Sequence, residues 1–450
     1  MFRRIFSVGL SPKAHSIIWF LLFAVFCLIL CVRAVNGAGL YKKNPKSNDF
    51  AVYYNAGEAV LKGKNPYEVK TQDERRYLYP PTFALLFAPA VACGFKLAFF
   101  VYLILQVFCL FILFRVSFIT AGFAKYLWRF DGSPPILFLT VVFLWRAFDS
   151  DFANGQINTL VTALAVLGVF LSLVKKNAIL GALLLSLSIS FKLYTAPLVL
   201  LFLRQGGLRP FLWTVAGIGI FILILPSAFL GVGTNIWYLG TFNDILLSHY
   251  TSGGAPEIFK ASGQSLWAMF QRFLTRTDAI PHLDEPFFLN FANLPPSVVW
   301  VIYIICVVVI LSSLTVVQGK KPLSVSIGMF CCAVVLVAPL ARKAYFVILA
   351  PSFVVALWIL ISSRILFKSL EPKGRRYRIG LAFFILAFGL MVFTGREIVG
   401  KKVSDLMIGL SCFGLSAIGL LISLVLLSSL IEQGGGVTEP KDERESKKGD

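Results

Sequence analysis

Asp49 is the first residue of this chain whose type and placement could do chemistry. It opens the stretch DFAVYYNAGEAVLKGKNPY (Asp49–Tyr67), which follows the first long apolar segment and leads to a rigid corner at Tyr79, Pro80 and Pro81. A carboxylate beside low-dielectric surroundings can be tuned toward general-base work, taking the proton of an attacking hydroxyl. A structural reading competes with it, because an aspartate also suits the N-terminus of the helix that Tyr53 and Tyr54 would occupy. Around Asp49, Tyr53 and Tyr54 fall at the spacing of an amphipathic helix along the interface, Asn65 opens an Asn-Pro-Tyr turn, and Tyr79 suits either direct ligand contact or an aromatic anchor at a membrane interface.

A second constellation reads Asp149-Ser150-Asp151, then Asn154, Gln156 and Asn158. Two carboxylates at i and i+2 can flank a cation or activate an acceptor, and amides at the head of the next helix favour phosphate. An ordinary polar turn between two spans would look the same. Lys192 interrupts an apolar run in FKLYTAP. Charge at membrane depth is costly and therefore functional by default, unless the side chain snorkels to the surface. Arg342 and Lys343 repeat the theme in APLARKAY, placing cations on the side where positive charge is avoided; an anionic headgroup or diphosphate would account for them. Gln264, in GQSLW, is a weak signal alone.

These residues must be positioned by membrane helices. Of the 450 residues, 58% are hydrophobic and only 14% charged, a balance that excludes a soluble domain of this size. Lys and Arg number 42 against 22 Asp and Glu. The basic residues cluster between apolar segments, as topogenic charge does, so nucleic acid is not an expected partner and the lipid bilayer is. Three scattered histidines and eight cysteines without a CxxC pair point to neither a zinc site nor a disulfide framework. Counting apolar runs predicts an all-α polytopic protein of about twelve spans. It forms one membrane domain over 1–432, with an interfacial helix in a first outer loop (36–81), a long outer loop (231–297) and a disordered tail over 433–450. Among the expected spans are Pro134–Phe148, Gln156–Val174, Ile179–Phe191 and Tyr194–Leu203, with Asp149–Gly155 as a short outer loop. The positive-inside rule places both termini in the cytoplasm and the Asp49 loop outside.

DFAVYYNAGEAVLKGKNPY, YLYPPTFALLFAPA, ANGQINTLVTAL and the segment from Lys192 to Pro197 together resemble glycosyltransferase family 87 over roughly Ser47 to Pro351. GQSLW is similar to that family's Asn-Gln-Ser-Leu tract, with Gly263 in place of the asparagine. The resemblance implies a GT-C helical bundle, a polyprenyl-phosphate sugar as donor, commonly of mannose, and Asp49 as catalytic base. Where the family often carries Ser-Trp-x-His-His, this chain reads Leu340-Ala341-Arg342-Lys343-Ala344-Tyr345, so Arg342 or Lys343 would bind phosphate as a permanent charge.

The expected activity is inverting hexosyl transfer, mannose first, onto a glycan or glycolipid acceptor of the cell envelope, on the outer face of a bacterial inner membrane. Asp49 is the expected base, and Lys192, Arg342 and Lys343 stabilise the departing phosphate. Tyr53, Tyr54, Asn65, Tyr79, Asp149, Asp151, Asn154, Gln156, Asn158 and Gln264 are expected to line the substrate site. No cofactor is expected and no divalent metal is required, although Asp149 and Asp151 leave room for one. A lipid-linked glycan flippase and a non-catalytic scaffold are the competing classes.

Overall fold

The computed structural model describes residues 11–40, 48–71, 74–128, 134–251, 262–280, 285–366 and 374–433, so the expected tail lies beyond them after Gln433. Among the described residues there are helices and isolated bridges but no strands. Helix α1 (Pro12–Ala38) starts on Ser11, whose hydroxyl accepts from the Ala14 N–H, and stops at Gly39 in the left-handed region. Helix α2 (Asp49–Leu61) starts on Asn48, whose side chain accepts from the Ala51 N–H. The capping role weighed for Asp49 therefore belongs to its neighbour, and Asp49 is the first residue of the helix proper.

Helices α3 (Pro81–Val91), α4 (Phe95–Thr120), α5 (Pro134–Ala153), α6 (Asn158–Leu173) and α7 (Ala178–Phe191) follow. The expected outer loop 149–155 is mostly the last turn of α5. Asp149 and Asp151 end the apolar run without ending the helix. Tyr194–Leu203 is helical but irregular: Leu193–Val199 is a 3₁₀ segment around Pro197, which has no N–H to continue an α-helical ladder, and Phe202–Gly206 is a π turn. Helix α8 (Leu208–Gly219) runs through a π turn (Ile220–Ile224) into α9 (Leu225–Leu230). The stretch expected as a long loop, 231–297, contains α10 (Val232–Thr251) and α11 (Leu266–Leu274). Helices α12 (Pro296–Val317) and α13 (Leu323–Val337) come next. A 3₁₀ turn (Lys343–Leu349) leads into α14 (Ala350–Leu366), and α15 (Arg375–Val392), α16 (Arg396–Gly409) and α17 (Cys412–Gln433) complete the order.

Six helical segments among the described residues are long and apolar enough to cross a membrane, and α15 with α16, bent by 96°, makes a seventh if counted as one span. The chain is a multi-pass membrane protein. Helices α3, α6, α7 and α13 are apolar but only 10–17 residues long, short of the roughly 20 residues a straight crossing takes. The window over Lys343–Ile361 is 83% buried against 17% for those of Leu208–Leu230 and Pro296–Lys320. The first is therefore the centre of the bundle, and the other two face outward. Aromatic rings join the layers: Phe143 stacks on Phe353 at 4.2 Å, and Phe26 meets Phe114 and Phe148 edge-on. At its far end α1 touches α5 through Gly37, where an added Cβ would lie 1.9 Å from the Ala153 carbonyl oxygen. Only glycine fits there, and the contact brings Arg33 to Asp149.

Candidate active site

The turn from α5 to α6 is built around Asp151, which is fully buried. One carboxylate oxygen accepts from the Asn158 N–H (3.1 Å) and Nδ2 (2.8 Å), the other from the Thr159 N–H (2.9 Å) and Oγ1 (2.7 Å). Asp151 thus satisfies donors that the start of α6 would leave unpaired, and its charge suits the positive end of that helix. Burial pushes its carboxyl up to about 6, against the hydrogen bonds from Thr159 and Asn158 and the charge of Lys192.

Asn158 passes this anchoring on, its Oδ1 accepting from Lys192 Nζ at 2.8 Å. Lys192 sits where α7 stops and the backbone turns extended (φ −147°, ψ 118°), ahead of the Pro197 turn. It is buried, with Nζ 4.6 Å from the ring centre of Tyr345 and 5.1 Å from that of Tyr79. Burial alone would lower its pKa; Tyr345, Tyr79, Tyr194 and Asp151 carry it above the ordinary lysine value. The ammonium is held in an aromatic cradle and donates to Asn158.

Asp49 arrives from the other side. Its N–H donates to the Asn154 carbonyl (3.0 Å), which ties the start of α2 to the α5–α6 turn. Gly155 makes room for this: it has φ +63°, and an added Cβ would come within 2.9–3.2 Å of Asn48 and Phe50. The Asp49 carboxylate, partly exposed, accepts from Arg75 Nη1 at 2.9 Å. Tyr79, beside Lys192, reaches the Asp49 helix through its hydroxyl, which shares a 2.9 Å hydrogen bond with that of Tyr53 on α2. Burial pushes the Tyr79 phenol up to about 12; Lys192 pulls it down and Asp49 raises it, so both charges act on this one side chain.

The remaining expected residues divide. Gln156 joins the cluster, its Oε1 accepting from Asn158 Nδ2 (2.9 Å) and its carbonyl from Tyr102 and Gln106. Asn154 contributes the carbonyl bound to Asp49, while its side chain donates to the Ser150 carbonyl. Asp149 does not pair with Asp151 around a common ligand; it accepts from Arg33 at 2.6 and 3.1 Å. Tyr54 donates to the Val91 carbonyl and packs on Phe95, anchoring α2. Asn65 shapes its own turn, accepting from the Tyr67 N–H and donating to Glu68. Gln264 is buried against the Ile408 carbonyl and the Phe413 N–H. Arg342 is exposed, and its backbone bridges to Gly263. After burial, the strongest influences on Lys343 are Arg146, Arg396, Asp405 and Asp149 rather than Lys192. Arg75, Tyr102, Thr159, Tyr194 and Tyr345 belong to the site although sequence reasoning did not single them out. The available signals were proximity in sequence: Tyr345 follows the cationic pair Arg342–Lys343, Tyr194 follows Lys192 in FKLYTAP, and Thr159 follows Asn158. Among the described residues, no group of three or more His, Cys, Asp and Glu is arranged to hold a metal ion.

The model of glycosyltransferase family 87 matches residues 77–341, more than half of the chain. The chain belongs to that family. The matched region holds Tyr79, Asp151, Asn158 and Lys192 and begins after Asp49. No curated protein and no solved structure matches the chain.

Proposed function

We propose that this member of glycosyltransferase family 87 moves a hexose, mannose first, from a polyprenyl-phosphate donor to a glycan or glycolipid acceptor of the cell envelope. The observation that carries the reading is that a partly exposed carboxylate, Asp49, and a buried cation, Lys192, are both tied to the α5–α6 turn, one through the Asn154 carbonyl and the other through the Asn158 side chain. An inverting displacement needs this polarity: a base on the nucleophile's side and positive charge on the leaving group's side. The acceptor hydroxyl gives its proton to the Asp49 carboxylate as its oxygen bonds the anomeric carbon. The bond from that carbon to the phosphate oxygen breaks, and its electron pair leaves with polyprenyl phosphate beside Lys192. A phosphate ester is already an activated leaving group, so the scheme needs neither nucleotide nor metal.

In this reading the chain crosses about twelve times, α2 lies along the interface, and both termini are cytoplasmic. The shorter helices α6, α7 and α13 are then passes made inside the bundle, where protein rather than lipid surrounds them.

The test is transfer by purified full-length protein given a panel of polyprenyl-phosphate hexoses and a lipid extract, with and without EDTA, beside Asp49→Asn. Expected is label moving to a new product, insensitive to EDTA and reduced about 100- to 10,000-fold in the variant, the range a general base supplies. Turnover retained in Asp49→Asn removes it from the base role. No transfer from any donor overturns the reading in favour of lipid-linked glycan transport or a scaffold.

A further inference from the structure

On the far side of α5 from Lys192 lies a second group of charges that the transfer scheme does not use. Successive residues of an α-helix turn by about 100°, which sets Asp151 about 140° from Arg146 and about 160° from Asp149. Asp151 is turned to Asn158 and, through it, to Lys192. Arg146 and Asp149 are turned to Arg33, Glu397, Arg396 and Lys343 instead. The 3₁₀ turn over Lys343–Leu349 divides in the same way. Its residues step by about 120°, so Tyr345, over Lys192, and Lys343 point in different directions. One helix and one turn therefore wall off two cationic centres from each other.

Within the second group two cations are well matched. Arg33 grips Asp149 through two hydrogen bonds, and Arg396 holds Asp405 at 2.8 Å. The other two are not. The Lys343 ammonium makes no hydrogen bond or ion pair among the described residues, although the residue is only partly exposed. Arg146 has a side chain 11% exposed, and its sole ion pair among the described residues is a long 3.5 Å contact to Glu397, itself 68% exposed. Its Nε is buried with no hydrogen-bond partner among the described residues. A buried guanidinium with an orphaned N–H beside an unpaired ammonium is costly unless an anion completes it. A fork of N–H groups next to a point charge is the donor set that suits a tetrahedral phosphoryl group.

We propose that Arg146 and Lys343 form a second anion site at the end of the bundle, taking the phosphoryl group of a membrane lipid or of a free phosphate. The site is separate from the Lys192 centre, and its test reads binding rather than turnover, so it stands or falls independently of the proposed reaction.

The test is native mass spectrometry of the full-length protein in a phosphate-free maltoside detergent. The protein is titrated with phosphatidic acid, with inorganic phosphate, and with diacylglycerol as the uncharged control. Expected is one saturable phosphatidic acid per chain, weakened at least tenfold by Lys343→Gln and by Arg146→Gln, and tightened or unchanged by Glu397→Gln. Lys343 holds no partner that its loss would orphan, so Lys343→Gln decides the matter even if Arg146→Gln does not fold. Inorganic phosphate competing with the same variant dependence assigns the site to a soluble phosphoryl ligand. Binding equal in the wild type and Lys343→Gln, or diacylglycerol retained as well as phosphatidic acid, overturns the proposal.

Discussion

Lys192 shows how a single charge is made affordable inside a membrane protein. An isolated ammonium in a low-dielectric interior would give up its proton. Here four side chains stabilise its charge: Asn158 accepts from it, Tyr79 and Tyr345 present ring faces to it, and Asp151 lies one hydrogen bond further away. None of these is a direct carboxylate partner, so the positive charge is stabilised without being cancelled, which is what a site for a departing phosphate requires. Replacing Lys192 by Met separates the two roles. It leaves the Asn158 Oδ1 without its donor, a loss of about 1–3 kcal/mol if the acceptor stays buried and unpaired. Removing a charge that acts on the transition state costs about 100- to 1,000-fold in rate. Thermal unfolding should therefore shift by only a few degrees while transfer at saturating donor drops by that larger factor. A variant that melts early yet turns over at the wild-type rate would make Lys192 structural.

At the scale of elements, the site depends on the α5–α6 turn meeting the start of α2, and Gly155 is the hinge of that meeting. Gly155→Ala puts a side chain in the left-handed region, about 1–2 kcal/mol by itself, and drives its Cβ into Asn48 and Phe50. Gly63 is the control: it too has φ +63°, but an added Cβ meets nothing within 4 Å. Transfer should fall at least tenfold in Gly155→Ala and stay near wild type in Gly63→Ala, with similar conformational strain in both; equal activities would detach Asp49 from the turn. The Asn-Gly-Gln run was legible as a polar turn at the head of a helix, but not as the close backbone approach that Gly155 permits. Asp49, Asp151, Asn158 and Lys192 stood out as polar groups breaking apolar runs, and the structure gathers them. What the sequence hid was pairing at a distance. Arg75 meets Asp49 across 26 residues and Arg33 meets Asp149 across 116, contacts that packing sets and local pattern does not encode. Helix ends were hidden for a related reason. Hydropathy stops at Asp149, whereas the backbone ladder of α5 continues to Ala153 because the turn beyond supplies its partners.

The whole molecule has a polarity that follows from the same placements. Asp49, Asp151, Lys192, Arg33 and Lys343 all stand at helix ends, and the bundle joins those ends through Arg33–Asp149, Asp49–Asn154 and Lys192–Asn158. The basic runs Lys175-Lys176, Lys320-Lys321 and Arg375-Arg376 stand at the opposite ends of their helices. If positive charge is retained on the cytoplasmic side, the gathered end faces outward, where a lipid-linked sugar and an envelope acceptor would meet. Cys93 reports on this directly. It lies between α3 and α4, close in sequence to the site end of α4, and is exposed, whereas the other described cysteines are buried or half-buried. A membrane-impermeant maleimide added to intact cells should label the protein at Cys93, and Cys93→Ser should abolish the label. In the Cys93→Ser background, Lys320→Cys should react only after permeabilisation. The reverse pattern would turn the bundle over, put Asp49 on the cytoplasmic side, and require the sugar donor to be consumed there.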